Sequence, residues 1–246
     1  MVVKDKYADE FVGIYKELED WHKKALQVFS RYRFDRILDI GCGDGRFSIL
    51  LKEACKAKEV YGIDLSEKGV NLARQKGVKA FQMNIDKENL PFEDNYFDAV
   101  YAGEVIEHLF DPDHFLEEVY RVLKEGGSFV ISTRNLASLY NRILLLFGFL
   151  PNAMQSSLRY DVGHLWSSPK EEGRVISAAD HIRLFTYRSL VSLLEIYGFN
   201  VRQIIGLKAA SPAPSSHLFK LIDDIISKFL RLSAGILLVC EKGERI

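Results

Sequence analysis

A chain of 246 residues can bury one substantial core, so a single large domain with insertions is expected. Lys and Arg number 33 against 34 Asp and Glu, a formal net charge of -1, which removes any global electrostatic reason to bind nucleic acid and favours a small or neutral partner. Three cysteines, Cys42, Cys55 and Cys240, stand without C-x-x-C spacing and cannot all pair, which argues against a disulfide framework and a zinc site and fits a reducing compartment.

In chain order, Met1 to Lys6 lack the apolar stretch and cleavage site of a secretory signal, so a cytoplasmic location is expected. Phe11, Ile14, Tyr15, Leu18, Trp21, Leu26 and Phe29 recur at helical intervals, predicting one or two amphipathic helices over Lys4 to Arg33. Residues 1–35 thus form an N-terminal helical segment, either a lid or plain packing. From Arg36 the rhythm changes. Strands are predicted at Arg36 to Ile40, Glu59 to Asp64, Val78 to Met83, Phe97 to Ala102 and Ser128 to Thr133, with helices near Arg46 to Lys56, Ser66 to Gln75 and Pro112 to Leu123. Asp111 and Pro112 suit a helix start, and Gly126-Gly127 a helix-to-strand turn.

After Thr133 a long intrusion, Arg134 to Ile182, reads as a substrate-side cap, because long loops in compact domains are usually functional. Its apolar run, Ile143 to Leu150, is too short to cross a bilayer and is closed by Pro151. A helix at Thr186 to Tyr197, a strand at Asn200 to Ile205, a helix near Leu218 to Leu230 and a strand at Gly235 to Glu241 complete the chain, the last two strands forming an antiparallel pair at a sheet edge. Residues 36–246 are read as one domain with insertions at about 134–182 and 208–232.

The segment Asp39-Ile40-Gly41-Cys42-Gly43-Asp44-Gly45 follows an apolar strand and opens a helix, the arrangement that lets a nucleotide-like ligand approach bare backbone. A dinucleotide turn of the G-x-G-x-x-G kind would set a pyrophosphate on the helix N-terminus; here the third glycine comes one position early and Arg46 stands where glycine is wanted, which favours a nucleoside donor without phosphates. Asp64 ends the next strand, placed to accept from both ribose hydroxyls.

These residues resemble the class I S-adenosylmethionine-dependent methyltransferases, especially the small-molecule group that includes the ubiquinone-biosynthesis enzymes. Further matching elements are Asp86 before Leu90-Pro91-Phe92, Phe97-Asp98, Val105-Ile106-Glu107-His108-Leu109 and Arg121-Val122-Leu123-Lys124-Glu125-Gly126-Gly127, although Glu125 replaces a common proline. The resemblance implies an α/β fold, a Rossmann-like three-layer sandwich with a mostly parallel seven-stranded sheet, an antiparallel C-terminal edge strand and an inserted helical cap. It implies S-adenosyl-L-methionine as cofactor, bound by Asp39, Gly41, Cys42, Gly43, Gly45, Asp64 with neighbouring Leu65, Ile85, Asp86, Gly103 and Glu104.

A sulfonium methyl is already activated, so transfer to an O, N or C atom by in-line displacement needs orientation and water exclusion rather than a covalent intermediate or a metal. His108, just past the fourth strand, is the candidate base, or orients a loop if Glu104 and His108 face each other on a helix. His164 and His181 flank the cap as further candidates. Asp111, Asp113 and His114 read as a helix start rather than metal ligands.

The helix from Ala137 to Leu150 is too apolar for one core-facing stripe, so it is a lid over a greasy acceptor, a homodimer interface, plain core packing or a shallow membrane contact. The helix near Leu218 to Leu230 reads as core packing. Asn135, Arg142, Tyr160, Trp166, Arg183 and Tyr187 are candidate acceptor contacts. The chain lacks the Asn or Asp-Pro-Pro-aromatic element of base-modifying enzymes, so a small-molecule or lipid-like acceptor is expected, with a non-catalytic donor-binding module and a protein methyltransferase as alternatives.

Overall fold

The structure, a computed structural model, describes residues 18–157, 160, 162–165, 181–209 and 216–245. Seven strands, β1 (Arg36–Ile40), β2 (Glu59–Asp64), β3 (Lys79–Gln82), β4 (Phe97–Gly103), β5 (Leu123–Arg134), β6 (Phe199–Leu207) and β7 (Gly235–Lys242), make one sheet in the order β3-β2-β1-β4-β5-β7-β6. Strands β1 to β5 pair in parallel, and β7 runs antiparallel to β5 and β6. The chain winds outward through β2 and β3 and then returns to place β4 on the other side of β1. The strand order therefore switches between β1 and β4, and open α/β sheets bind ligands outside the carboxyl ends of such strands.

Alternation along the strands divides the core between two faces. Leu38, Ile40, Val100, Ala102, Leu238 and Cys240 face one side, where α4 (Pro112–Val122) and α6 (Tyr187–Ile196) contribute Phe115, Leu116, Leu190 and Leu194. Ile37, Ala99, Tyr101, Leu237 and Val239 face the other, covered by α1 (Asp20–Phe29), α2 (Arg46–Cys55) and α3 (Glu67–Gln75). The described part of the N-terminal segment is thus packing rather than lid: Trp21, Ala25, Val28 and Phe29 are buried. Phe11, Ile14 and Tyr15 lie outside the described residues.

Helix starts follow from local chemistry. The Asp111 side chain accepts from the His114 amide at 2.9 Å with Pro112 at the first helical position, and Thr186 and Ser189 cap α6 reciprocally. Gly126, at φ +70°, supplies the expected turn within the first residues of β5, where the pairing with β4 jumps from Leu123 to Ser128. All three cysteines are buried and unpaired.

Two expectations are corrected. The C-terminal strand β7 is antiparallel as expected but lies one place in from the edge, between β5 and β6, since β6 takes the outer position and β7 returns into the gap beside β5. The second inserted helix, α7 (His217–Ile226), is not core packing: Leu218, Leu221, Ile222 and Ile225 are exposed, as is Phe229 beyond it, and of its apolar side chains only Ile226 is buried. The first inserted helix, α5 (Leu139–Leu146), also turns outward, with Leu146 80% and adjacent Phe147 71% exposed. Tyr140 joins the two, donating to Asp223 at 2.9 Å and stacking on Phe219. No helix of the described residues is long and apolar enough to cross a membrane.

The C-terminal strand is pinned by Lys242, whose buried ammonium donates to the Leu123 carbonyl and the Asn95 side chain, each at 2.8 Å, and lies 4.5 Å from the Tyr120 ring centroid. Lys242→Met keeps the aliphatic stem but strands these two acceptors. It is expected to lower unfolding free energy by about 2 to 4 kcal/mol in urea titration.

Candidate active site

The turn after β1 is built from bare backbone. Gly41, Gly43 and Gly45 all have left-handed φ, and a Cβ at Gly45 would stand 2.7 Å from the Ala73 Cβ and 2.8 Å from its Cα, so α3 could not approach any other residue as closely. Above Gly43 the space is open: a Cβ there would meet nothing within 4 Å. Gly41 and Cys42 donate their amides to the Ile63 carbonyl at 2.8 and 3.0 Å, tying the turn to β2. Cys42 contributes through its backbone, because its thiol is buried against Gly62 and pushed far up by burial.

Carboxylates surround this cradle. Asp64 accepts from the Gly43 amide at 2.7 Å through one oxygen and from the Ser66 amide at 2.8 Å through the other. A carboxylate oxygen can accept more than one hydrogen bond, sugar hydroxyls included. Asp86 accepts from the Phe110 and Asp111 amides at 2.7 and 3.2 Å, joining the loop after β3 to the start of α4; Ile85 beside it packs on the core. The Leu65 carbonyl accepts from the Gln82 side chain at 3.3 Å. Asp39 lies beneath the turn, buried, and accepts from the Ser48 hydroxyl at 2.6 Å; burial is the main cause that raises its pKa to about 7.

At the end of β4, a Cβ on Gly103 would clash with the Tyr101 hydroxyl at 2.1 Å. Tyr101 was not singled out from sequence; its buried hydroxyl has no hydrogen-bond partner and its ring packs on Phe47 and Phe29. Glu104 adopts φ +56°, uncommon for a residue with a side chain, and is held there by Arg134 at 2.9 Å and Ser132 at 3.3 Å. The helical register supposed for Glu104 and His108 does not form, because a 3-10 turn spans only Ile106–His108.

Glu107 is the residue that sequence reasoning passed over. It is fully buried, accepts from the Thr133 hydroxyl at 2.9 Å, and its other oxygen has no hydrogen-bond partner among the described residues. Its carbonyl accepts the amides of Ile182 and Arg183 at 2.8 and 3.1 Å, bringing the returning end of the insertion onto the 3-10 turn. His181 is thereby laid beside His108, ring centroids 4.7 Å apart. Desolvation leads in raising both Glu104 and Glu107 to about 7 and in lowering His181 to about 3. Only the burial pattern, a glutamate within an otherwise apolar turn, could have signalled Glu107.

The remaining candidates separate. Asn135 is buried and consumed by structure, donating to the Ser233 carbonyl and accepting from the Ala137 amide, so it is not available to an acceptor. Arg142 donates to the Ala137 carbonyl, Arg183 to those of Leu109 and Phe110, and Tyr187 packs on the core. The His164 ring lies 2.8 Å from the Met154 carbonyl, and Tyr160 is exposed. Trp166 lies outside the described residues. Asp113 accepts from the Tyr197 hydroxyl while Asp111 caps α4, as a helix start requires. An open groove near β6 and α7, lined by Lys24, Gln203, Lys208 and Asp224 among others, includes none of the candidate residues.

The sequence profile described as "Methyltransferase domain" matches residues 38–131, the stretch that carries β1 to β5 and every residue of the glycine turn from Asp39 onward. Over residues 38–131 the chain is thus similar to a methyltransferase domain. The chain is also similar to demethylmenaquinone methyltransferases: that of Bacteroides fragilis is 35% identical over 117 residues, 45% of this chain and 48% of the relative, and that of Thermus thermophilus 33% identical over 115 residues, 45% and 52%. The chain spans about half the length of these relatives. The fold beyond the domain matches a chain of the complex between the Haloferax volcanii Trm112 methyltransferase activator and a methyltransferase, with 20% identity, TM-score 0.63 and coverage of 98% and 95%. An S-adenosylmethionine-dependent methyltransferase from Mesorhizobium loti gives 21% identity and TM-score 0.57 over 90% and 97%. The [4+2]-cyclase SpnF shares the fold as well, at 17% identity and TM-score 0.56 over 89% and 80%.

The buried Asp39 yields a pH prediction. Its folded pKa of about 7 exceeds the ordinary value, so between about pH 4 and 7 the folded state holds a proton that the unfolded state has lost, and stability falls as pH rises through that window. Asp39→Asn keeps an acceptor for Ser48 without the charge. It is expected to melt several degrees above the parent at pH 8, with the difference shrinking toward pH 5 in calorimetry.

Proposed function

We propose that the chain is an S-adenosylmethionine-dependent methyltransferase acting on a small, apolar or lipid-like acceptor. The observation that carries this reading is the open space over Gly43 at the carboxyl edge of the sheet, with Asp64 bound to the Gly43 amide; Asp86 stands in the loop after β3, tied to the start of α4. The bare turn accommodates a nucleoside, Asp64 accepts from its ribose, and Asp86 with Ile85 takes the adenine end. Gly103 and Glu104 line the methionine portion. These residues fit the cofactor, which when bound supplies an activated methyl on a sulfonium.

The protein's part is then to hold the acceptor atom in line with that methyl and to keep water out. His108 and His181 mark the acceptor side, and His108 is positioned to receive a proton when the acceptor is a hydroxyl. The exposed apolar surfaces of α5 and α7 suit a hydrophobic acceptor, and the relatives named demethylmenaquinone methyltransferase point to a quinone-like ring. The same α5 surface is the candidate face for a homodimer.

The cyclase with this fold supports a second reading, in which the donor site serves another chemistry or only binding. Transfer of labelled methyl to a quinol panel separates the two.

Donor binding is tested by isothermal titration with S-adenosylhomocysteine and with NAD. The sulfur nucleoside is expected to bind and NAD to give no saturable heat. Asp64→Ala should weaken S-adenosylhomocysteine by about 1.5 to 3 kcal/mol, roughly 10- to 150-fold. Tight NAD binding without a response to the sulfur nucleoside contradicts the assignment, as does unchanged affinity in a variant that still melts cooperatively.

A further inference from the structure

The 3-10 turn after β4 and the returning end of the insertion bring together three side chains of the kinds that ligate metals. Glu107, His108 and His181 each place a metal-ligating atom within 4.8 Å of the other two. Glu107 Oε1 is buried, has no hydrogen-bond partner among the described residues and lies 4.0 Å from His181 Nε2. The opposite ring nitrogen of His181 lies 3.2 Å from the Ala153 carbonyl, a partner that can only accept, so Nδ1 carries the hydrogen and Nε2 presents its lone pair to the carboxylate. When Glu107 is ionised, two electron pairs therefore face each other across a gap in a buried place. That arrangement is costly unless something positive lies between them.

We propose that Glu107, His108 and His181 bind a divalent first-row transition cation at the carboxyl edge of β4. Two imidazoles and one carboxylate are the donor set favoured by zinc, iron, cobalt or nickel over magnesium or calcium, which prefer all-oxygen shells. The second shell is already in place. The Ala153 carbonyl orients His181 and the Thr133 hydroxyl holds the other oxygen of Glu107, the kind of outer contact that fixes ligand direction. Ligand atoms of a tetrahedral shell with bonds of about 2.0 to 2.1 Å stand about 3.4 Å apart, so the separations here, up to 4.8 Å, close by side-chain rotation of an ångström or more on binding.

The cation would also offset negative charge, since Glu104 and Glu107 are neighbouring buried carboxyls with Arg134 as the cation paired to Glu104. Three protein ligands leave coordination positions open, and an oxygen of the acceptor can fill one. That last statement rests on the methyltransferase reading; the cation site does not. With the cation bound, His108 is a ligand and an acceptor hydroxyl loses its proton because coordination acidifies it.

The test uses the untagged chain after chelator treatment and dialysis, titrated with cobalt(II) and, in parallel, magnesium(II), by calorimetry and visible absorption. Cobalt is expected to bind at about one ion per chain, to raise the melting temperature and to give d–d bands, with magnesium much weaker. His181→Ala and His108→Ala should each weaken cobalt about 100-fold or more while leaving S-adenosylhomocysteine affinity within about threefold. Because Glu107→Gln removes a buried charge and can unfold the turn, the histidine variants carry the decision. Absence of saturable cobalt binding overturns the proposal, and so does equal binding by both histidine variants. Failure of S-adenosylhomocysteine to bind while cobalt binds would instead count against the donor site alone.

Discussion

The Asp64 carboxylate holds two turns at once. One oxygen takes the Gly43 amide and the other the Ser66 amide, so the loop leaving β1 and the loop leaving β2 share a single anchor. Charge-assisted bonds of this type are about twice as strong as neutral ones. Their effect is geometric as well: they fix the glycine turn at the strand-order switch, while the contact between Gly45 and Ala73 seats α3 against it. The cradle over Gly43 exists because both constraints leave that point uncovered. A ligand there meets backbone already in place and carries little ordering cost.

Opposite this rigid half stands one assembled from distant chain segments. The main chain of Glu107 collects the returning insertion at Ile182 and Arg183, and residues 135 and 185 bridge beside it. Burial raises the proton affinity of Glu104 and Glu107, and Arg134 supplies compensating charge at the end of β5. Beyond this polar centre, α5 and α7 turn apolar faces outward and are joined through Tyr140. The molecule thus combines a bare glycine turn held by Asp64, a buried charged turn after β4 and two helices with outward apolar faces.

Much of the first half was legible because local chemistry dictates it. The glycine spacing, the aspartates at strand ends and the Asp111-Pro112 helix start each act through backbone a few residues away, so their sequence pattern and their geometry coincide. The strand limits of β1 and β2 follow from apolar runs bounded by charge. What escaped depends on contacts far apart in the chain. The pairing of Glu107 with His181 spans the whole insertion, and nothing in either neighbourhood announces it. Asn135 has the composition of a binding residue but is spent on the Ser233 carbonyl, a partner about a hundred residues away. The apolar spacing of α7 is the same whether its stripe meets a core or solvent, which is why periodicity alone misplaced it. The position of β7 inside β6 is likewise a matter of topology, not of strand propensity.

The central claim is that the bare turn anchored by Asp64 is a nucleoside cradle. A crystal structure with S-adenosylhomocysteine bound tests it most directly. The account predicts ribose hydroxyls within hydrogen-bond distance of Asp64, the adenine beside Ile85 and Asp86, and the backbone of residues 41–45 unchanged. Ribose density elsewhere on the protein, or a turn that must rearrange to admit the compound, would contradict it.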